Sequence, residues 1–261
     1  MTDTKTIMIT GSTDGIGLAT ARTLVAEGHK VLIHGRSATK LESVQAELGE
    51  KVETHRADLS DLDAVRAMAG VIREHHGHLD VLINNAGVYN VPAERTPSGL
   101  DMRFAVNTIA PYVLTRALLP IIPSGGRVVN LSSAAQAPVD LKALRGGISL
   151  SAGAAYAQSK LALTMWTNAA ADELRSGPVV VSVNPGSLLA TNMVRDAFNT
   201  AGQGIGIGVD ILVRSATSSE FADATGRYFD NDAGRFAQPH HDATDLAKCR
   251  AVVQTIEDVL A

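Results

Sequence analysis

The stretch Thr10-Gly11-Ser12-Thr13-Asp14-Gly15-Ile16-Gly17 stands between a short apolar run, Thr6 to Ile9, and an amphipathic segment over residues 18–27. This strand, glycine turn and helix constrain the fold more than any other feature of the chain. Glycines permit positive φ and let a ligand approach where a Cβ would collide, while the unpaired N–H groups of a new helix favour an anion. The ligand suited to such a turn is a pyrophosphate. The spacing Gly11, Gly15, Gly17 departs from G-x-G-x-x-G, so the octapeptide alone also reads as an ordinary strand-to-helix turn.

With 261 residues, 45% of them hydrophobic, the chain can bury a sizeable core. No composition break or repeat divides it, and strand-like and helix-like runs alternate from residue 5 to about residue 185, which predicts one α/β domain over residues 1–261. A formal charge of −4 without a Lys/Arg cluster argues against a nucleic-acid partner. The single cysteine, Cys249, excludes an internal disulfide and a thiolate metal cage and suits a reducing compartment. No signal segment and no run of about 20 apolar residues is found, so no membrane partner and a cytoplasmic location are expected.

Lys30 to His34 supplies a second strand, apolar enough to be central, that stops at Gly35-Arg36. In dinucleotide folds the end of the second strand lies beside the adenosine ribose, where an acid binds the 2′-hydroxyl. Here an arginine stands instead, which favours a 2′-phosphate and hence NADP over NAD; the alternative is that Arg36 only caps a surface strand. Residues 38–48 are predicted helical and residues 52–57 form a third strand. Asp58-Leu59 follow, and Ser60 is the expected N-cap of a helix over residues 61–75.

A fourth strand over residues 79–83 ends in Asn84-Asn85-Ala86-Gly87, whose adjacent amides either staple two loops or wall a cofactor pocket. The helix predicted over residues 99–119 contains Asn107 and Pro111, and Pro111 frees the Asn107 carbonyl four residues back to anchor water or a lysine. A fifth strand over residues 126–131 ends in Ser132-Ser133. Tyr156 and Lys160 then stand four apart on a predicted helix, where an ammonium beside a phenol lowers the phenol pKa and makes the pair competent for proton transfer. A sixth strand over residues 179–183 turns away at Asn184-Pro185-Gly186.

Taken together, over residues 5 to 235, these stations resemble the short-chain dehydrogenase/reductase family. The resemblance implies a single-domain Rossmann-type doubly wound parallel sheet of about seven strands, the last near Arg227 to Phe229. It implies hydride transfer between NADP(H) and a carbonyl or alcohol, with NAD possible. Tyr156 would be the general acid/base, Ser133 would bind the substrate oxygen, and Lys160 would bind the ribose and tune Tyr156. Asn107 would hold a relay water through its carbonyl. Gly11, Ser12, Thr13, Asp14, Gly15, Ile16, Gly17, Arg36, Asp58, Leu59, Asn85, Ala86, Gly87, Tyr156, Lys160, Pro185 and Gly186 would line the cofactor site.

Two departures matter. Ser133 and Tyr156 are 23 residues apart, about ten more than is usual in the family, and the extended loop over residues 138–153 resembles the retinol-dehydrogenase-like branch, which acts on bulky apolar alcohols and aldehydes. Asp14 stands where NADP-using relatives often carry a basic residue, so the NADP reading rests on Arg36, with Ser12, Ser37 or Lys40 as helpers. Residues 188–208 are expected to carry a substrate lid, with residues 202–208 as hinge or loose loop.

The histidines at 75, 76 and 78 and at 240 and 241 lack a carboxylate or cysteine at ligand spacing, so no metal is expected. A last helix is predicted over residues 243–260, with Cys249 a small core residue. Relatives pair through the helices bearing Asn107 and Tyr156, which implies a homodimer or homotetramer. The competing reading is a non-catalytic nucleotide-binding redox sensor, against which the proton-transfer residues count.

Overall fold

The computed structural model describes residues 4–187, 189 and 204–261. Among them, eight strands form one sheet in the order β3-β2-β1-β4-β5-β6-β7-β8. They are β1 Thr6–Ile9, β2 Lys30–Gly35, β3 Val52–Arg56, β4 Val81–Asn84, β5 Arg127–Leu131, β6 Val179–Asn184, β7 Tyr228–Asp230 and β8 Arg235–Ala237. Every neighbouring pair is parallel except β7 with β8. The strand order reverses between β1 and β4, and ligands of open α/β sheets sit at the carboxyl ends beside such a reversal.

Alternation along the strands divides the core in two. Ile7, Ile9, Val31, Ile33, Val129 and Val181 face the layer formed by α1 Gly15–Ala26, α2 Ala38–Leu48 and α8 Gly206–Thr217. Met8, Leu32, Leu82, Val128 and Val180 face the layer of α3 Leu62–His75, α5 Ala110–Leu118, α7 Ala152–Glu173 and α9 Leu246–Leu260.

The structure corrects several boundaries. The antiparallel β8 joins the seven expected strands because residues 231–234 turn the chain back, with Gly234 at φ 64°, and Phe236 packs edge-on against Phe229. Asp61 rather than Ser60 caps α3, its carboxylate accepting from the N–H groups of Asp63 and Ala64, while Ser60 is held by Asp58. The helix expected from residue 99 starts with the turn α4 Met102–Phe104, capped by Asp101, and continues as a π-helical turn, Ala105–Ile109, into α5. Pro111 cannot serve the carbonyl four residues back, which favours this wider turn at Asn107.

Met102–Ile121 is long and apolar enough to cross a bilayer by length and composition, contrary to the sequence reading, but most of it is buried in the core against α3 and α7. α9 begins three residues later than expected, behind the 3-10 turn His241–Thr244 and an Asp245 cap. Cys249 is fully buried on it, and burial pushes its thiol up to about 11.

The hinge reading fails for Gly206 and Gly208, which belong to α8. A Cβ on Gly208 would meet Leu189 Cδ1 at 2.7 Å and Ile16 Cδ1 at 3.3 Å, so Gly208 permits close packing of α8 on α1. The rest of the expected lid, residues 188 and 190–203, lies outside the described residues.

Candidate active site

A groove of about 450 Å³ runs along the carboxyl ends of β1, β2, β4 and β5. Its floor is the glycine turn. Gly11 and Gly15 take φ values of 65° and 55°, and a Cβ on Gly17 would lie 2.4 Å from the Gly11 carbonyl oxygen. The Asn85 amide donates to the carbonyls of Thr10 and Gly11 at 2.8 and 3.0 Å, and the Thr10 hydroxyl accepts from the N–H groups of Asn85 and Ala86. Asn85 therefore both staples the turn and walls the groove. Asn84 is turned into the core, donating to Thr115 and Asn130.

Thr13, Asp14, Ile16, Ala86, Gly87 and Pro185 line the groove with the glycines, but Ser12 and Gly186 do not. Ser12 is fully buried: its hydroxyl donates to the Ile9 carbonyl and accepts from the His34 N–H, tying β1 to β2. Gly186, at φ 119°, instead shapes the chain after β6.

His34 was not singled out by sequence, yet it sets the turn. Its Nδ1 accepts the Gly11 N–H at 3.1 Å while Nε2 lies 3.2 Å from the Ala57 carbonyl, which fixes the neutral Nε2–H tautomer. Burial lowers its pKa to about 4. The available signal was a lone imidazole on the inward face of an otherwise apolar strand.

At the end of β2, four charges stand in the groove wall as two pairs. Lys40 Nζ is 3.4 Å from Asp14 Oδ2, and Arg36 Nη1 is 4.0 Å from Asp58 Oδ2. The repulsion expected from Asp14 is thus met by Lys40. Leu59 completes this wall.

At the other end, α7 carries Tyr156 and Lys160 into the groove, started by its Ser151 cap. Lys160 Nζ donates to the Leu131 carbonyl at 2.6 Å and lies 5.8 Å from the centre of the Tyr156 ring. Burial lowers its pKa to about 8, so it still carries its proton at neutral pH. The lowered tyrosine pKa expected from sequence is not what this arrangement gives. Burial pushes the Tyr156 phenol up, the Ser133 hydroxyl pulls it down by hydrogen bonding, and Tyr89, whose ring is 5.0 Å from that of Tyr156, pushes it up again. The ammonium is engaged by a carbonyl rather than by the phenol oxygen.

Of the two serines, Ser132 borders the groove but is buried against α7, bonded to Thr164 Oγ1 at 2.7 Å and donating to the Lys160 carbonyl, while Ser133, outside the groove lining, is the one that hydrogen-bonds Tyr156. Asn107 lies behind the groove. Its Oδ1 accepts the Val88 N–H at 2.8 Å and its Nδ2 donates to the Val88 carbonyl and to Ser159 Oγ, each at 3.0 Å, so its side chain joins the asparagine loop to α7.

Residues 5–202 match the short chain dehydrogenase family. The chain belongs to that family. This dehydrogenase is 30% identical to human retinol dehydrogenase 13 over 271 residues, covering 94% of the chain and 81% of the relative. It is 36% identical to human retinol dehydrogenase 11 over 204 residues, covering 74% of the chain and 64% of the relative. Among solved structures, an uncharacterized protein from Mycobacterium Paratuberculosis superposes with a TM-score of 0.82 at 27% identity, covering 98% of this chain and 92% of that one. A blue fluorescent protein from a metagenomic library in complex with NADPH gives 0.69 at 26% identity, covering 87% and 95%.

The chain is accordingly a short-chain dehydrogenase acting on CH–OH groups, of a family that binds NAD(P). The dehydrogenase offers such a cofactor a glycine turn at a helix N-terminus, a groove continuous from Arg36 to Tyr156, and amide and ammonium donors along it. Its extended loop does not line this groove. It forms α6 Leu141–Leu144, capped by Asp140, and is held by Arg95, which donates to the Gly146 carbonyl and Ser149 Oγ, and by Gln158 of α7, which accepts the Asp140 N–H.

Proposed function

We propose that the protein transfers hydride between NADP(H) and a medium-to-bulky apolar ketone, aldehyde or alcohol, with Tyr156 as general acid/base. The observation that carries this reading is the placing of Tyr156 and Lys160 at one end of a groove whose floor is a glycine turn, with the Ser133 hydroxyl hydrogen-bonded to Tyr156 beside it. The nicotinamide cofactor, when bound, supplies or accepts the hydride. Tyr156 then gives its phenolic proton to the carbonyl oxygen, or takes it from the alcohol in reverse. Ser133 donates a hydrogen bond to that oxygen. Lys160 binds ribose hydroxyls and, turned from the Leu131 carbonyl, holds the phenol closer to its ionised form. Asn107 positions α7 and, through its carbonyl, a relay water.

Arg36 and Lys40, both in the groove wall and each near a carboxylate, support NADP, because a 2′-phosphate there would have two cations to meet. The apolar substrate class rests on the Tyr89–Tyr156 pair beside the groove and on relatives named for retinol. One domain over residues 1–261, a reducing cytoplasmic location consistent with one buried cysteine, and a homodimer or homotetramer belong to the same reading.

A Tyr156→Phe variant tests it. Reduction of an apolar carbonyl panel with NADPH should fall about 10²–10⁴-fold while NADP+ affinity stays within a few-fold of wild type. A wild type inert across that panel yet binding NADP+ would move the weight to a redox sensor.

A further inference from the structure

Sequence spacing sets the histidines at 75, 76 and 78 aside as metal ligands because no carboxylate or cysteine stands at the spacing of a metal site. The fold supplies the missing groups from 21 and 23 positions upstream. Glu53 and His55, two apart on β3, point to one face of the sheet, opposite Leu32 and His34, and α3 packs on that face and ends at His75, just before His76. Glu53 Oε1 is 3.0 Å from His76 Nε2 and 3.1 Å from His55 Nε2, and the three atoms all lie within 4.8 Å of one another. His55 is 6% exposed. Its Nε2 makes no hydrogen bond, because Glu53 Oε1 is near but out of line with a ring N–H.

We propose that Glu53, His55 and His76 bind a divalent transition cation of the zinc class, clamping the edge strand β3 to the end of α3. Two imidazole nitrogens and one carboxylate oxygen are a common zinc donor set, and metal–ligand bonds of about 2.0–2.2 Å place tetrahedral ligands about 3.3–3.5 Å apart. Both Glu–His distances are already within a few tenths of an ångström of that spacing. The unsatisfied His55 nitrogen gains a partner, and partly exposed Glu53 leaves the fourth position open to water.

Glu53 Oε1 faces the two imidazole nitrogens. Lys30 Nζ, 3.2 Å from Oε2, stays as the outer partner of the carboxylate. Two imidazoles select against magnesium and calcium, which prefer oxygen. The other cluster, His240, His241 and Asp242, is less open. The Lys248 ammonium already holds Asp242 Oδ1, and His240 Nδ1 accepts the Asp242 N–H.

The test titrates tag-free, chelator-stripped full chain with Zn2+ and, in parallel, Mg2+, reading bound metal and the thermal midpoint. One equivalent of zinc should bind and, at about 100 times its Kd, raise the midpoint by about 5 °C, with no shift from magnesium. Glu53→Gln and His76→Gln should each raise the zinc Kd by about tenfold or more while keeping the metal-free midpoint near wild type, and His241→Ala should bind zinc as wild type does. Failure of the wild type to bind zinc would overturn the proposal, as would binding unchanged in Glu53→Gln and His76→Gln or lost only in His241→Ala. None of these residues lines the groove, so the outcome is independent of the hydride-transfer reading.

Discussion

At the proton-transfer end of the groove Lys160 is 4% exposed and its ammonium is tied to a backbone carbonyl, with Ser132, Asn107 and Ser159 fixing the backbone around it. At the other end the Arg36 side chain is 71% exposed and Lys40 59%, each near a carboxylate that is itself about half exposed. The first end is held by short, buried contacts whose loss nothing replaces. The second is held by charges that water and salt screen. Substitutions should therefore act strongly and independently of salt at the buried end, and weakly and salt-dependently at the exposed end.

The largest expected effect is on turnover. Lys160→Met, which keeps the aliphatic stem and removes the ammonium, should lower kcat/KM by about 10²-fold or more in both low and high salt. A loss below about fivefold would remove the contrast between the two ends.

Next is acid stability, set by His34 between them. Its folded pKa of about 4 lies below the ordinary 6.5, so the neutral ring contributes its full stability above pH 6.5 and loses it as pH falls toward 4. The loss is on the order of 3 kcal/mol. Burial moves His29 and His55 in the same direction. Urea unfolding at pH 7 and pH 4.5 should show a smaller acid loss for His34→Gln than for wild type; equal losses would show that the Gly11 N–H does not depend on this imidazole.

Smallest is the cofactor choice at the exposed end. Arg36→Ala should lower the NADP+ over NAD+ affinity ratio about tenfold at low salt and less at 0.5 M salt, measured by thermal shift with each nucleotide. An unchanged ratio would leave Lys40 as the phosphate reader.

Much of this was legible because it is local. The strand–turn–helix at Gly11 to Gly17, the i, i+4 pair Tyr156 and Lys160, and the apolar runs of the parallel strands are each written within a few adjacent residues. What escaped depends on partners far along the chain. Ser12 turns inward because the His34 backbone is there to meet it. Lys40 offsets Asp14 only once α2 returns beside the turn. β8 is three residues long and gains its identity from β7, and Glu53, His55 and His76 meet only when α3 packs on β3. The Tyr156 pKa was misread because spacing gave the neighbour without the burial.

The most direct measurement supplies NADPH dideuterated at C4 with an apolar ketone and weighs the product alcohol. Hydride transfer predicts one deuterium at the carbinol carbon with wild type and almost no product with Tyr156→Phe. Unlabelled alcohol, or equal product from the variant, would contradict it.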